Sequence, residues 1–443
     1  MPDGARPPAE ALIEAGRPRH PDLHLAGDML LLSERAAVYG LRPDQAALLS
    51  DALASGTATE ALARFGLDAP AVTETAEGAG PVRALALTVS QSCNMACGYC
   101  YAAGGSFGGP EGRMTETVAR AAIDRLLAAT PPGGAVKIAF MGGEPFVARK
   151  VIHDAVSHAR RRAAARAISV GFSITTNGTL LTEADAEFLA ANRFAVTVSL
   201  DGGRAVQDRL RPMRGGDGSF DRIARALAPL LARQDSVSLS ARMTVTPENL
   251  GIGAAVADLG ALGFHSVGMS PMLSSPTGRG ALGADEFPVL LSEMVSMGED
   301  WLQATLAGQP HPFANLATAL GEIHRGATKS FGCGAARDYL AVDAEGDLSA
   351  CHRFVRDPLG AMGSLQDGID DAARVRFLGE RRVEAQDGCR SCWARRLCGG
   401  GCHQEVLHAG RPACDFVRGW LSYALGAYGR LIDARPDWFD AAA

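Results

Sequence analysis

The sequence predicts an α/β protein with an incomplete (β/α)6 barrel, a small N-terminal module and a cysteine-rich C-terminal domain. Two observations indicate this fold class. Short apolar runs alternate with helical stretches through the middle of the chain, as in parallel β/α units. The ten cysteines form two groups, with none between Cys100 and Cys333, which indicates two chemically distinct regions.

Six apolar runs are predicted to be the barrel strands, because six strands fit an incomplete barrel better than one of eight units. They occupy residues 84–90, 136–140, 169–175, 195–200, 237–246 and 266–270, with a helix at 115–129. The predicted organisation is a flexible N-terminus at 1–22, an N-terminal module at 23–67, a linker at 68–83, the barrel at 84–275, a helical bridge at 276–330 and the C-terminal domain at 331–443.

The N-terminal module combines strand and helix signals. Two apolar runs within residues 23–39 flank a polar turn at 33–35, which predicts a β-hairpin. Helical spacing follows at 41–53 and again at 57–65. Residues 68–81 are rich in Ala, Pro, Gly and Thr without periodicity and therefore predict a linker.

Composition narrows the class of protein. The 443 residues are 47% hydrophobic and 21% charged, which is ordinary for a globular protein of two or three domains. A net charge of -6 offers no basic surface, so neither nucleic acid nor a membrane is an expected partner. The sequence shows no apolar run typical of a signal peptide or membrane span, so we expect a cytoplasmic protein whose cysteines bind metal rather than form disulfides.

The first cysteine group has the spacing Cys93-x3-Cys97-x2-Cys100 and follows the first predicted barrel strand. Barrel enzymes place their chemistry at that end of the strands. Three thiolates can hold three corners of a [4Fe–4S] cluster, which leaves one iron open to a cofactor. A structural zinc site is the alternative, but it needs four protein ligands, and no fourth cysteine lies nearby in sequence.

With the aromatic Tyr99 before its last cysteine, this loop resembles the hallmark of the radical S-adenosylmethionine (SAM) superfamily, and the resemblance extends over most of residues 84–414. It implies that Cys93, Cys97 and Cys100 are catalytic and that the open iron binds the methionine part of SAM. In that family, electron transfer from the cluster cleaves SAM to a 5'-deoxyadenosyl radical, while the protein positions and shields the cofactor.

Other strand ends agree with this resemblance. The segment after the second strand resembles the family's Gly-Gly-Glu-Pro motif, in which glycine backbone lets the SAM amine approach and the glutamate carboxylate pairs with it. The resemblance implies SAM contacts by Tyr99, Gly142, Gly143, Glu144, Pro145, Asn177, Ser199 and Arg242. For Ser199 and Arg242, ordinary strand-end polarity is the alternative.

The second cysteine group resembles the SPASM extension, which binds two auxiliary [4Fe–4S] clusters. The resemblance implies that the first auxiliary cluster is held by Cys333, Cys351 and Cys402, and the second by Cys389, Cys392, Cys398 and Cys414. Three [4Fe–4S] clusters and SAM are therefore the expected cofactors. One auxiliary iron lacks a cysteine; His352 and His403 adjoin ligands, and a carboxylate, a small ligand or a substrate thiol could also fill the position. Two zinc ribbons are the alternative.

Enzymes of this architecture mostly modify peptides or proteins. The N-terminal module resembles the winged-helix elements that capture a precursor peptide by strand addition, although the hairpin could simply pack on the barrel. The expected partners are thus a precursor peptide or small protein subunit, and an electron donor such as flavodoxin or ferredoxin.

The segment from Cys389 to His403 is similar to maturases that install Cys-to-Asp or Cys-to-Glu thioethers in quinohemoprotein amine dehydrogenase. Carbon–carbon cyclophane formers share the scaffold. Anaerobic sulfatase-maturing enzymes, which make formylglycine, carry an Asp base where this chain has His352. Candidate bases here are His352, Asp338 and Glu405.

Two other classes of protein compete with a peptide-modifying enzyme. The motif at 141–145 disfavours an iron–sulfur electron carrier without SAM, and the acidic charge balance disfavours an enzyme that modifies nucleic acid.

Overall fold

The computed structural model describes residues 8–67, 79–275, 278–326 and 328–441. It divides the chain into two compact units, each built from segments that are distant in sequence. The described parts of Met1–Ala76, Leu282–Cys333 and Glu380–Ala443 form a helix-rich unit, and those of Glu77–Ala281 and Gly334–Gly379 form a barrel unit. The C-terminal domain predicted at 331–443 is therefore shared between the two. Most of the predicted linker, residues 68–78, lies outside the described residues.

The N-terminal part contains helix α1 (Ala9–Gly16), strands β1 (Leu23–Ala26), β2 (Met29–Leu32) and β3 (Ala37–Gly40), and helices α2 (Pro43–Ser55) and α3 (Ala58–Arg64). The strands form an antiparallel sheet in the order β1-β2-β3. The predicted hairpin around residues 33–35 is β2–β3, and a third strand precedes it because Gly27, with φ +67°, begins a tight turn inside the first apolar run.

The predicted flexible N-terminus differs from the structure, which forms α1 there. Leu12 is buried in it, and a side chain at Gly16 would collide with the backbone of Gly419, so the glycine permits close packing against a C-terminal helix. Only the first seven residues of that predicted segment lie outside the described ranges.

The barrel strands confirm the predicted α/β class. They are β4 (Ala84–Ser90), β5 (Ala135–Gly142), β6 (Ser169–Thr176), β7 (Ala195–Ser199), β8 (Ser238–Val245) and β9 (Val267–Pro271), parallel and in chain order. The intervening helices are α4 (Glu116–Ala129), α5 (Arg149–Ala164), α6 (Glu183–Ala191), α7 (Arg204–Leu210), α8 (Phe220–Leu231) and α9 (Ile252–Ala261). Side-chain caps start two of them: Thr115 accepts a hydrogen bond from Val118 N, and Thr182 forms a capping box with Asp185.

Helices α10 (Glu286–Leu306) and α11 (Ala314–His324) occupy the predicted helical bridge. Strands β10 (Tyr339–Val342), β11 (Asp347–Ser349), β12 (Ala361–Ser364) and β13 (Gly368–Ile369) then extend the barrel sheet, because β10 pairs in parallel with β4. The remaining helices are α12 (Asp371–Arg381), α13 (Asp387–Arg390), α14 (Arg395–Cys398), α15 (His403–Ala409), α16 (Cys414–Ala434) and α17 (Trp438–Ala441). Within the described ranges, no helix is long and apolar enough to cross a bilayer.

The N-terminal sheet packs inside the helix-rich unit rather than standing alone. One sheet face buries Leu23 and Leu30 against α2 and α3. On the other face His24 stacks on Trp393, with ring centroids 3.7 Å apart, and hydrogen-bonds to Ser422 of α16 at 2.9 Å. The apolar cluster on one face and the specific His24 contacts on the other together favour a single register of this small sheet.

Candidate active site

The three-cysteine loop follows β4 and is held by backbone hydrogen bonds. The Ala96 amide donates to the Pro212 carbonyl at 2.9 Å, and the Arg214 amide donates to the Asn94 carbonyl at 3.0 Å. The loop bearing Cys93, Cys97 and Cys100 is thus attached to the segment that follows α7. Such fixed backbone can hold three thiols toward one cofactor.

The glycine turn after β5 packs directly on the same loop. The Gly143 amide donates to Ser90 O at 2.8 Å, and the Glu144 amide donates to Ser92 O at 3.0 Å. Gly142 has φ +145°, and a side chain on it would collide with the Ser90 carbonyl. Only glycine allows this approach, so the turn forms a backbone cradle beside Cys93.

Glu144 is fully buried at the centre of this cradle. Its carboxylate accepts hydrogen bonds from the Asn177 amide at 2.7 Å, the Thr176 hydroxyl at 2.8 Å and the Phe146 amide at 3.0 Å. Burial raises the pKa of Glu144, and these three donors oppose that shift. The carboxylate therefore links the ends of β5 and β6, and its predicted pairing with the SAM amine stays a prediction.

The other predicted SAM contacts lie at successive strand ends. The Asn177 side chain donates to Asn94 Oδ1 at 3.0 Å and lies 3.7 Å from the Cys93 sulfur. Ser199 ends β7 and is paired in register with Arg242 of β8, whose guanidinium donates to Ser270. Pro145 is buried and follows the glycine turn. The structure thus brings Gly142, Glu144 and Asn177 to the cysteine loop, and places Ser199 and Arg242 on neighbouring strands.

The thiols suit iron ligation. All ten cysteines are free of disulfides. Burial raises the pKa of Cys93 to about 11 and also raises that of Cys97, so these side chains need a nearby positive charge, such as iron, to become thiolates. In the described ranges no three His, Cys, Asp or Glu side chains converge on one ion, whereas cluster ligands bind separate irons.

A buried network beside Cys97 was not foreseen from the sequence. The Tyr99 hydroxyl donates to Asp201 and accepts a hydrogen bond from Arg211 Nη1 at 2.7 Å. The Thr244 amide donates to the second Asp201 oxygen at 3.0 Å. Burial raises the Asp201 pKa, and Arg211 opposes that shift. At this strand end the sequence predicts a role for Ser199, but no local signal marks Asp201 and Arg211 as buried partners.

Four C-terminal cysteines gather in the helix-rich unit. The pKa of Cys389 is raised to about 11, first by burial and also by the nearby Cys392, Cys398 and Cys414. The Cys398 sulfur accepts hydrogen bonds from the backbone amides of Gly400 and Gly401. These are the four cysteines for which the resemblance implies one shared auxiliary cluster.

The other three cysteines lie in different units. Cys333 and Cys402 belong to the helix-rich unit and Cys351 to the barrel unit. His403 hydrogen-bonds to the Cys333 backbone, and burial and Arg381 lower its pKa to about 4.

The candidate bases have different surroundings. His352 Nδ1 lies 3.0 Å from the Tyr339 hydroxyl, and its ring meets Tyr101, the residue after Cys100, edge-on at 5.9 Å. Desolvation lowers the His352 pKa to about 4, so the imidazole is neutral near pH 7.

The two candidate carboxylates lie elsewhere. Asp338 forms an ion pair with Arg337 at 3.2 Å beside the beginning of β4, whereas the cysteine loop follows the end of β4. Glu405 is buried on α15, in the helix-rich unit.

Comparison with known proteins agrees with this site. The profile of the radical SAM superfamily matches residues 87–251. The chain is 25% identical over 343 residues to the serine-type anaerobic sulfatase-maturating enzyme of Klebsiella aerogenes, covering 74% of this chain and 82% of that protein. It is 29% identical over 368 residues to the mycofactocin maturase MftC of Mycobacterium tuberculosis, covering 79% and 86%.

Solved structures share the fold. Native anSMEcpe with bound AdoMet aligns with a TM-score of 0.65 at 20% identity, covering 79% of this chain and 98% of that one. Streptococcus suis SuiB bound to S-adenosylmethionine aligns with a TM-score of 0.52 at 14% identity, covering 88% and 96%.

Fold, cysteine loop and profile together define a radical SAM domain. The chain is a radical SAM enzyme, and SAM and [4Fe–4S] clusters are its cofactors.

Proposed function

We propose that this enzyme modifies a precursor peptide or small protein subunit and forms an intrapeptide thioether between Cys and Asp or Glu. The observation that carries the peptide-modifying role is the gathering of Cys389, Cys392, Cys398 and Cys414 in a chain that also has the radical SAM loop. The relatives named as sulfatase and mycofactocin maturases support the same substrate class. The thioether outcome rests on the similarity of residues 389–403 to thioether-forming maturases.

The cofactors fit the residues on which we place them. Cys93, Cys97 and Cys100 would hold the SAM-binding cluster, and the four gathered cysteines would hold one auxiliary cluster. The ligands of the other auxiliary cluster would be Cys333, Cys351 and Cys402, as predicted from the sequence. When bound, SAM and its cluster would supply the 5'-deoxyadenosyl radical that removes a hydrogen atom from the peptide. An external donor such as flavodoxin or ferredoxin would provide the electron.

His352 is our candidate base in the barrel unit. If its Nδ1–H donates to the Tyr339 hydroxyl oxygen, neutral Nε2 is free to accept the proton that the substrate loses. Its lowered pKa keeps that nitrogen unprotonated near neutral pH. Asp338 and Glu405 remain weaker candidates, because Asp338 lies beside the beginning of β4, away from its loop end, and Glu405 belongs to the helix-rich unit.

The test begins with anaerobic reconstitution and a SAM-cleavage assay with dithionite. We expect about twelve irons per chain and 5'-deoxyadenosine. Peptides that contain Cys together with Asp or Glu should then lose two hydrogens, resist thiol alkylation and show a cross-linked pair by tandem mass spectrometry. SAM cleavage with no change in any such peptide would contradict the thioether proposal.

Formylglycine formation is the second candidate, favoured by the sulfatase-maturating relatives. It predicts an aldehyde product that reacts with a hydrazide, without a cross-link. His352 counts against it, because the resemblance to that family implies an Asp base at this position. His352→Asp would separate the two: formylglycine chemistry should tolerate this change better than His352→Ala.

A further inference from the structure

Arg211 is a buried cation that lies against the cysteine loop of the barrel unit. Its Nη1 donates to the Tyr99 hydroxyl at 2.7 Å, and its guanidinium carbon lies 6.0 Å from the centre of the Tyr99 ring. The next residue, Pro212, accepts the Ala96 amide at 2.9 Å. The Arg211 side chain and the backbone after it are therefore both attached to residues on either side of Cys97.

The charge of Arg211 is permanent and acts on the loop. A guanidinium stays protonated in proteins. Burial raises the pKa of Cys97, Arg211 opposes that shift, and Asp201 adds to it more weakly than Arg211 opposes it. Of the two opposite charges in this network, the cation thus has the larger effect at Cys97.

The guanidinium also keeps one donor that the network does not use. Within the described ranges of the barrel unit, Arg211 Nε is buried and has no hydrogen-bond partner. A buried donor without an acceptor costs free energy, so native structures rarely leave one. The cofactor for which the loop supplies three cysteines carries such acceptors, and a charged donor suits its negative charge.

A positive charge at this place bears on how easily the cluster is reduced. A [4Fe–4S] cluster gains one negative charge when it accepts one electron from an external donor, and no bond forms or breaks in that step. A fixed cation stabilises the more negative reduced form, and burial strengthens the effect because the local dielectric constant is low. Reduction potentials of such clusters accordingly depend on nearby charge and on hydrogen bonds to the sulfurs.

We propose that Arg211 is a positioning residue that raises the reduction potential of the SAM-binding cluster, and that Asp201 limits this rise. Tyr99 joins the two charges, because its hydroxyl donates to Asp201 and accepts from Arg211. Asp201 is itself held by the Thr244 amide at 3.0 Å. Arg211 would have this effect whichever substrate the radical attacks, so the role goes beyond the proposed peptide modification.

The test is a potentiometric titration of the reconstituted full chain, read by electron paramagnetic resonance. The signal that the Cys97→Ala protein lacks identifies the SAM-binding cluster among the three. Arg211→Met should lower its midpoint potential by at least about 59 mV, a tenfold smaller equilibrium constant for one-electron reduction. Asp201→Asn should raise the midpoint by at least about 28 mV, a threefold larger constant, because it removes the opposing anion.

Opposite signs distinguish an electrostatic role from a structural one. Each substitution disturbs the same buried network, so a role in folding alone predicts shifts in one direction for both. Arg211→Lys keeps the charge and should lie closer to wild type than Arg211→Met, which keeps the test decisive if the methionine variant folds poorly. Arg209→Met is the control and should match wild type, because Arg209 is 53% exposed and pairs with Glu248.

SAM cleavage at a controlled potential supplies a second readout. At the wild-type midpoint, Arg211→Met should form 5'-deoxyadenosine at least about fivefold more slowly, because less of its cluster is reduced. At a potential about 118 mV more negative, both proteins should be mostly reduced and their rates should agree within about twofold. An unchanged midpoint in Arg211→Met, a shift of the same sign in Asp201→Asn, or cleavage that does not recover at the lower potential would each overturn the inference.

Discussion

Cys97 lies in the middle of the three-cysteine loop, and its removal tests which cysteines make the radical. Cys97→Ala should abolish 5'-deoxyadenosine formation, because two thiolates cannot hold the cluster as three do. The C-terminal cysteines are untouched, so iron content should fall by about four per chain rather than to zero. Iron analysis and chromatography of the products measure both effects. Retained SAM cleavage would refute the assignment of this loop.

Arg211 illustrates how a single buried charge supports the loop. It is 8% exposed and pairs with Tyr99 and Asp201 beside Cys97. Arg211→Met should lower the free energy of unfolding by about 3–5 kcal/mol, because it leaves Asp201 buried without its cation. Arg209→Met is the control, since Arg209 is 53% exposed and its ion pair with Glu248 spans 3.6 Å. Urea unfolding should show a larger decrease in the free energy of unfolding for Arg211→Met than for Arg209→Met. Equal decreases would show that the buried pair stabilises the protein no more than the exposed one.

At the scale of an element, the turn after β5 depends on backbone conformation. Gly142→Ala should destabilise the protein by about 1–3 kcal/mol and weaken SAM binding, because φ +145° strains any L side chain and the methyl group would displace the Ser90 carbonyl. Gly171→Ala within β6 is the control, as its nearest neighbour would lie at 3.8 Å. Thermal unfolding and equilibrium dialysis with SAM measure the effects. A Gly142→Ala protein that binds SAM normally would show that the cradle is not needed.

At the scale of the whole molecule, loss of a C-terminal cluster should leave the radical-generating cluster active. Cys398→Ala removes one of four gathered thiols, so we expect about four irons to be lost and the midpoint of thermal unfolding to fall. SAM cleavage should persist, because the loop at 93–100 belongs to the barrel unit. Peptide turnover should be lost. Unchanged iron content would remove Cys398 from the ligand set.

Stability of the helix-rich unit should depend on pH through His24. Burial lowers its pKa from 6.5 to about 3, so between these values the unfolded chain binds a proton that the folded chain does not. Stability should therefore fall as pH drops below about 6.5, by up to about 1.4 kcal/mol per pH unit. His24→Gln cannot titrate and should show a flatter dependence in urea unfolding at about pH 7 and about pH 5. An equal pH dependence of the free energy of unfolding in the wild type and in His24→Gln would contradict this account.

Sequence by itself determined the features that depend on local pattern. Apolar runs placed the six parallel strands within a few residues, because strand periodicity and length are local properties. Cysteine spacing placed the loop at 93–100, and the Gly-Gly-Glu segment proved to pack on it. The same locality identified α2 and α3.

Tertiary structure alone decided what joins distant segments. It showed that β10 extends the barrel sheet beside β4, that Arg211 completes a network with Tyr99, and that α1 is a helix packed on α16. It also left the edge of β1 beside a cavity. None of these has a periodic signature in sequence, because each depends on burial shared between residues far apart in the chain, and that burial exists only once the chain has folded.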